Sequence, residues 1–325
     1  MTNRPAPQHK ALRQSQAMHL IIPYAALADM PADALKRLPL PHLRQLLSQM
    51  QFTQRDADTQ EEPPSPHMPH ERAWARALGW PDTGAWPWAA QAYPEDSAPQ
   101  AWLTPCHWQV GMDQVLMLDP SHLNLRDEES QQLLEAMQPY LKEDGLEVQW
   151  HSALRWHARG DIFKTMQPAS LDRVIGANLK PWMGDAHLPA PLRRLQSEMQ
   201  MLLYNHPVND ARMDKRQYTV NSFWVHGAGA PLPAPTPTPP SDVVVIDTLR
   251  AAALQGDWPS WQAAWLKLDA EHLGPLVDRA DLHLTLCSAR AAHTYQRRTP
   301  TWLQRLRAAL QPTDTSQALL ALIPK

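Results

Sequence analysis

The residues best suited to chemistry are concentrated in residues 206–229, which read HPVNDARMDKRQYTVNSFWVHGAG. This segment contains a His-Pro turn, two asparagines, an arginine and an apolar run with a tryptophan, and it ends in Gly-x-Gly. Amide and guanidinium groups donate hydrogen bonds to phosphate and carboxylate oxygens, so the segment is a candidate binding site for an anionic small molecule. Its candidate ligand-binding residues are His206, Asn209, Arg212, Asn221 and Trp224.

Each of these side chains also has a structural interpretation. Asn209 and Asn221 could hold loops together, as buried asparagines commonly do by hydrogen bonding to backbone groups. Arg212 could form a salt bridge, or it could form an anion clamp together with Arg155, the sixth candidate ligand-binding residue. His206 precedes a proline, which favours a role in fixing a turn over the role of a base. We assign no catalytic residue and no metal ligand.

Tryptophans are frequent on the N-terminal side of that segment. Their enrichment favours compensating core packing, although an exposed aromatic binding face for a protein partner is the alternative. Exposure of these rings to solvent decides between the two interpretations. The tryptophans in question stand at positions 74, 80, 86, 88, 102 and 108.

Composition excludes several classes of protein. The chain has 325 residues with only 11 glycines, and it contains neither GxGxxG nor GxxxxGK[ST], so a standard nucleotide-binding loop is not expected. A formal net charge of −3 and dispersed basic residues argue against nucleic-acid binding. No apolar run reaches the length of a membrane span. Two distant cysteines, Cys106 and Cys287, argue against a disulfide framework, and we expect a cytoplasmic protein without a cofactor.

The order of the predicted elements indicates an α/β fold that contains an α+β unit. Helices are predicted from about Pro41, over residues 71–79, 127–142, 191–205, 258–273 and 301–310, and strands over residues 18–24, 146–150, 154–158, 220–225, 242–246 and 281–286. A hairpin is predicted around Gly111 and a loop or linker over residues 56–70. We predict a flexible tail over residues 1–16, a core from residues 17–103 and 190–325 with a proline-rich linker at 230–241, and an insertion over residues 104–189.

The segment from Leu202 onward resembles the HPVN…R…N-x-x-W-x-x-G-x-G signature of archaeal-type, cofactor-independent phosphoglycerate mutases. Residues 123–160 are similar to the inserted cap domain of that family, with Arg155 near its basic contact. Shorter similarities cover residues 40–47, 77–90 and 256–286, so that the resemblance follows the family order along most of the chain. The matching signature residues are His206, Pro207, Val208, Asn209, Arg212, Asn221, Trp224, Gly227 and Gly229.

This resemblance implies an alkaline-phosphatase-like core sheet flanked by helices, with an inserted α+β cap. It also associates the chain with the RpfE-type regulatory proteins, a bacterial group similar to the mutases. The family transfers a phosphoryl group through a serine, with two divalent ions held by aspartates and histidines. Here the first strand ends in Ile22-Pro23-Tyr24, and the second and third ligand groups would fall near Arg250 and Leu254 and within residues 286–290.

Because these positions lack the family's ligands, the sequence predicts a catalytically degenerate relative of the mutases with a regulatory or ligand-binding role. Its partners would be a phosphorylated or carboxylated small molecule, or another protein. The alternative is an active metal-dependent mutase, or a related phosphotransfer enzyme, with rearranged ligands.

Overall fold

The computed structural model describes residues 17–29, 35–59, 63–82, 84, 86–185, 187–233, 241–298 and 314–323. The predicted N-terminal tail, the predicted helix over residues 301–310 and most of the proline-rich linker lie outside this range. In chain order, the strands are β1 (Ala17–Ile22), β2 (Met50–Ala57), β3 (Gln100–Cys106), β4 (Trp108–Val110), β5 (Val115–Met117), β6 (Glu147–Ser152), β7 (Arg155–Arg159), β8 (Ser222–Gly229), β9 (Ser241–Val245), β10 (Leu282–Cys287) and β11 (Ala291–Arg297).

Helices cover both sheets and connect them. In chain order, they are α1 (Pro41–Ser48), α2 (Pro69–Ala77), α3 (Trp88–Ala92), α4 (Asp127–Glu143), α5 (Leu171–Val174), α6 (Ala190–Tyr204), α7 (Pro207–Asp214), α8 (Arg250–Leu254), α9 (Trp258–Leu268) and α10 (Thr315–Leu320). None of these helices has the length and apolar character needed to cross a membrane.

The first sheet has five strands in the order β2-β11-β10-β1-β9. β1 runs parallel to both β9 and β10, whereas β11 is antiparallel to its neighbours. Leu20 and Ile22 of β1 pack in a large core with α1 and α9, whereas Ile21, on the opposite face, packs with Ala73 of α2. Helices therefore flank both faces, and the predicted fold class, an α/β core sheet flanked by helices, is confirmed.

The second sheet is antiparallel, in the order β6-β7-β3-β8. Successive side chains of a strand point to opposite faces, so only alternate residues enter its core. Leu103 of β3 and Val225 of β8 are buried against α4 and α6, whereas Thr104 and His226 belong to the other face. This α+β unit thus presents one apolar face to its helices and one mixed face to the rest of the molecule.

Two differences from the predicted organisation concern strands. β2 and β11, which extend the first sheet, were not predicted, because β2 is an edge strand with mostly exposed polar residues and lacks an apolar pattern. The antiparallel sheet draws on β3 and β8 as well as β6 and β7. It therefore includes residues on both sides of the predicted insertion, because β3 pairs with β8 across more than a hundred residues of sequence.

Candidate functional site

A cleft of about 800 Å³ lies between the two sheets. The parallel strands β1 and β9 end at the same edge of the first sheet, and the residues that follow them, Pro23 and Asp247, line the cleft. The carboxyl edge of parallel strands is where open α/β sheets commonly bind ligands. From the antiparallel sheet, Trp102, Thr104 and His226 face the same space.

An ion pair between the two units forms one side of the cleft. The Arg250 Nε donates to both carboxylate oxygens of Asp172 at 2.8 and 2.9 Å, and its Nη2 also bonds to Asp172. The Tyr24 hydroxyl donates to the same carboxylate at 2.9 Å. Burial alone would raise the pKa of Asp172, but the hydrogen bonds from Arg250 hold it below its usual value. Asp172 is therefore ionised at neutral pH, and the charge of Arg250 is compensated.

The next residue, Arg173, ties the same short helix α5 to the first sheet's unit. Its guanidinium donates to Asp58 and to the carbonyl of His67 at 3.0 Å each, and to the carbonyl of Ala289 at 3.0 Å. The Asp58 side chain is fully buried. Buried, hydrogen-bonded pairs of this kind fix geometry more than they add stability. Asp172 and Arg173 together thus position the wall of the cleft.

Arg155, at the start of β7, is the exposed cation of the cleft. Its guanidinium carbon lies 5.2 Å from the ring centroid of Trp102, within cation–π distance. Within the described part of the chain its guanidinium forms no salt bridge with a carboxylate. Burial, with a further contribution from the charge of Arg155, lowers the pKa of His226 to about 3, so this histidine is neutral near pH 7. Arg155 is thus available to an anionic ligand.

Indole rings form the opposite wall. Trp74 of α2 and Trp88 of α3 are stacked with centroids 4.5 Å apart, and both line the cleft. Gly227 and Gly229 permit this arrangement: a Cβ on Gly227, where φ is +60°, would lie 3.1 Å from the Cβ of Trp88. A Cβ on Gly229 would lie 3.0 Å from Pro87. The Gly-x-Gly ending of β8 therefore allows close packing against Pro87 and α3.

Two titratable side chains of α2 also line the cleft, His70 and Glu71. Burial lowers the pKa of His70 to about 4 and raises the pKa of Glu71 to about 7, with the charge of Asp172 adding to the latter rise. Two buried atoms of the wall, the His70 Nδ1 and the Trp88 Nε1, have no hydrogen-bond partner among the described residues. Such unsatisfied groups cost about 1–3 kcal/mol each.

The side chains at the first two metal positions implied by the family resemblance do not fit a metal ion. After β1 come Pro23, which has no donor side chain, and Tyr24, whose hydroxyl bonds to Asp172. Burial and the neighbouring Asp172 carboxylate raise the pKa of Tyr24 well above its usual value, which opposes the phenolate form that binds metals. At the second position Arg250 presents a guanidinium, a cation that repels a metal and has no lone pair for it.

The side chains at the third implied metal position also do not fit a metal ion. Cys287 is a buried thiol whose pKa is raised by burial, so the metal-binding thiolate is disfavoured. The hydroxyl of Ser288 donates to the carbonyl of Leu322 at 2.7 Å. Across the described residues, no three histidine, cysteine, aspartate or glutamate side chains form a group able to hold a metal ion. The donor chemistry of these positions therefore disagrees with a two-metal centre.

Of the six residues predicted to bind a ligand, Arg155 lines the cleft, and the described side chains of the other five make structural contacts. Asn209 accepts from the backbone N–H of Val220 at 2.9 Å, and its amide donates to the carbonyls of Val220 and Leu203 at 2.8 Å. Arg212 is completely buried; it donates to the Tyr218 carbonyl at 2.7 Å and pairs with Glu129 at 2.8 Å. These two side chains hold the segment onto α4 and α6.

The remaining three candidate side chains also form hydrogen bonds with backbone groups. Asn221 accepts from the backbone N–H of Trp108 at 2.8 Å and donates to its carbonyl at 3.0 Å. The buried indole of Trp224 donates to the carbonyl of Ala169 at 3.0 Å. His206 caps α7, accepting from the N–H of Val208 at 3.2 Å. Arg212 is enclosed by its own partners and forms the salt bridge that was the alternative to an anion clamp, whereas Arg155 lines the cleft.

None of the six upstream tryptophans is exposed: Trp86, Trp102 and Trp108 are buried and the other three are half-buried, as core packing predicts. Trp74, Trp88 and Trp102 nevertheless line the cleft. Sequence reasoning missed most other residues of the cleft, including Asp172 and His226. The alternation within β8, where Phe223 and Val225 are apolar, could have placed His226 on the face away from the core. No local signal marks the pairing of Asp172 with Arg250, 78 residues apart.

No family model and no curated protein matches the chain. Among solved structures, the cofactor-independent phosphoglycerate mutase from Thermoplasma acidophilum DSM 1728 is similar with 14% identity and a TM-score of 0.34, over 94% of this chain and 100% of that one. The PH0037 protein from Pyrococcus horikoshii is similar with 11% identity and a TM-score of 0.43, over 87% of this chain and 88% of that one.

Proposed function

We propose that this protein is a catalytically degenerate, phosphoglycerate-mutase-like protein that binds a small anionic metabolite between its two units, without a metal ion, in a regulatory role like that of the RpfE-type proteins. One observation carries the proposal. At the edge of the first sheet, where the family resemblance requires metal-binding carboxylates, Arg250 instead forms a multiply hydrogen-bonded ion pair with Asp172.

This ion pair opposes two-metal chemistry in two ways. The guanidinium adds a positive charge where a divalent ion would need negative ligands. The Asp172 carboxylate, which could otherwise bind a metal, accepts from Arg250 and from Tyr24. A metal would have to displace these hydrogen bonds before it could coordinate the carboxylate.

The cleft retains what a binding protein needs. Arg155 offers a cation to a phosphate or a carboxylate, and Thr104, whose hydroxyl is 3.0 Å from the His226 Nε2, adds polar groups beside it. Aromatic side chains next to a few convergent polar groups are typical of small-molecule sites. Arg155 from one unit and Arg250 from the other line the same cleft.

The alternative is an active phosphotransfer enzyme with rearranged ligands. It is favoured by two serines that line the cleft, Ser121 and Ser152, since the family's reaction passes through a serine. In the described structure neither hydroxyl forms a hydrogen bond with a histidine or a carboxylate side chain, the usual means of activating a serine. The structural support for this alternative is therefore limited to the two hydroxyls.

Two measurements on the full-length protein test the proposal. We expect no interconversion of 2- and 3-phosphoglycerate in the presence of manganese or magnesium. We also expect that a panel of phosphate esters and carboxylates, followed by thermal shift in EDTA, contains anions that stabilise the protein, and that Arg155→Gln removes this effect while Arg44→Gln, on the exposed face of α1, retains it. Mutase turnover, or about two tightly bound metal ions per chain, would refute the proposal.

A further inference from the structure

The charge and the aromatic content of the cleft restrict the ligand more narrowly than the proposed function does. Four carboxyl side chains line it, Glu71, Asp119, Asp172 and Asp247, against two guanidinium groups, Arg155 and Arg250. The charge of Arg250 is compensated by Asp172. The lining therefore carries an excess of negative charge, with the available positive charge concentrated at Arg155.

This distribution disfavours a ligand with several negative charges. A phosphate monoester carries about −1.5 to −2 at neutral pH, and phosphoglycerate adds a carboxylate. Like charges in a partly enclosed site repel each other strongly because water screens them poorly. The raised pKa of Glu71 results first from burial and then from the nearby charge of Asp172, and it shows the same repulsion acting within the protein. One negative charge, placed at Arg155, is the arrangement with the least repulsion.

The aromatic wall restricts the body of the ligand. Trp74, Trp88 and Trp102 line the cleft together with apolar side chains such as Leu154 and Leu171. Aromatic rings stack in offset or edge-to-face geometries, which contributes affinity beyond the area that is buried. A three-carbon polyol phosphate has almost no apolar surface to bury against these rings, whereas a planar ring does.

We infer that the cleft binds a monocarboxylate with a planar aromatic body, whose carboxylate contacts Arg155 and whose ring packs against the half-buried Trp74 and Trp88. The inference rests on the proposed function, because it takes this cleft to be the ligand site. A hydrogen-bonding atom on such a ligand would offset the cost of the unpartnered Trp88 Nε1 or His70 Nδ1 in the same wall.

Isothermal titration calorimetry of the full-length protein in EDTA tests the inference with four probes: phenylacetate, phenyl phosphate, acetate and 3-phosphoglycerate. We expect phenylacetate to bind with a Kd below about 1 mM, and each of the other three to bind at least roughly tenfold more weakly. Acetate tests whether the ring is needed, and phenyl phosphate tests the preference for a single negative charge. The probe 3-phosphoglycerate, which has no ring and carries more than one negative charge, tests both requirements.

The outcomes separate this inference from the proposed function. Tighter binding of 3-phosphoglycerate or phenyl phosphate than of phenylacetate overturns the ligand class but leaves a metal-independent anion site in place. Equal binding of acetate and phenylacetate overturns the aromatic requirement alone. Binding of none of the four overturns the ligand class, and if the wider anion panel also fails to stabilise the protein, the proposed function falls with it.

Variants locate the binding. Trp88→Leu should weaken phenylacetate binding roughly tenfold, whereas Trp88→Phe, which keeps a ring, should retain most of it. Trp258→Leu is the matched control, since Trp258 is a half-buried tryptophan of α9 away from the cleft. Arg155→Gln changes an exposed side chain and should weaken phenylacetate binding with no change in melting temperature. Unchanged binding in both Trp88→Leu and Arg155→Gln overturns the inference.

Discussion

Replacing Arg212 with methionine tests whether the signature segment is structural. Arg212 is completely buried, and its guanidinium contacts the carboxylate of Glu129 and the carbonyls of Tyr218 and Leu123. Methionine fills a similar volume but donates no hydrogen bond. The Glu129 carboxylate, whose side chain is only 8% exposed, then loses its buried cation. Breaking a buried pair from one side costs about 3–5 kcal/mol. The exposed guanidinium of Arg126, 3.1 Å from the same carboxylate, compensates only part of the remaining charge.

Urea unfolding, followed by far-UV circular dichroism at pH 7, measures this loss. Arg212→Met should lower the free energy of unfolding by about 3–5 kcal/mol. Lys215→Met, at an exposed position three residues away, should change it by no more than about 0.5 kcal/mol. If the charge of Glu129, left with Arg126 as its remaining cation, causes the loss, the double variant Glu129→Gln/Arg212→Met should be more stable than Arg212→Met by about 0.5–3 kcal/mol.

Two results would refute this reasoning. The first is a loss below about 1 kcal/mol in Arg212→Met, which would mean that the pair contributes no more than an exposed salt bridge. The second is a double variant no more stable than the single one, which would show that the lost carbonyl contacts dominate, and not the loss of the buried cation beside Glu129.

Two further predictions concern stability. Burial depresses the folded-state pKa values of His70 and His226 to about 4 and about 3. The stability that these neutral histidines contribute is therefore present above pH 6.5 and should be lost as the pH falls towards 4. Thermal melts between pH 7 and pH 4 measure this loss, and an unchanged melting temperature would contradict the prediction. Asn209→Ala removes three hydrogen bonds to backbone groups and should lower the free energy of unfolding by about 2–3 kcal/mol in urea titrations. Asn205→Ala, at an exposed position with negative φ, serves as control, and equal effects of the two would contradict the structural role of Asn209.

Much of the secondary structure could be predicted from the sequence, because local patterns determine it. Proline at the first turn marks the start of α1, and apolar residues at helical spacing predict α4 and α6 to within about two residues. The buried strand β1 follows from its continuous apolar run. The edge strand β2 does not, since its exposed polar residues form a strand only by pairing with β11.

The candidate site, in contrast to the secondary structure, depends mostly on long-range contacts that local sequence patterns do not reveal. The sequence marked residues 206–229 as a candidate site but did not determine their role. The residue type of an asparagine or an arginine does not show whether its side chain is buried in structural contacts or free to bind a ligand. Asn209 bonds to Leu203 of α6 and to Val220, and Arg212 pairs with Glu129 of α4, contacts that form only when α7 packs against both helices. Of the six candidates, Arg155 lines the cleft, because β7 begins at Arg155 beside the cleft.

By itself, the sequence determined the α/β class and indicated an α+β unit, since both depend on short-range periodicity. Only the tertiary structure decided which side chains meet at the carboxyl edge of the first sheet. Asp172 and Arg250 are 78 residues apart and carry no shared motif, yet folding brings them into direct contact. Long-range pairing of charges is specified by the packing of two units against each other, and that packing also determines which tryptophans face the cleft.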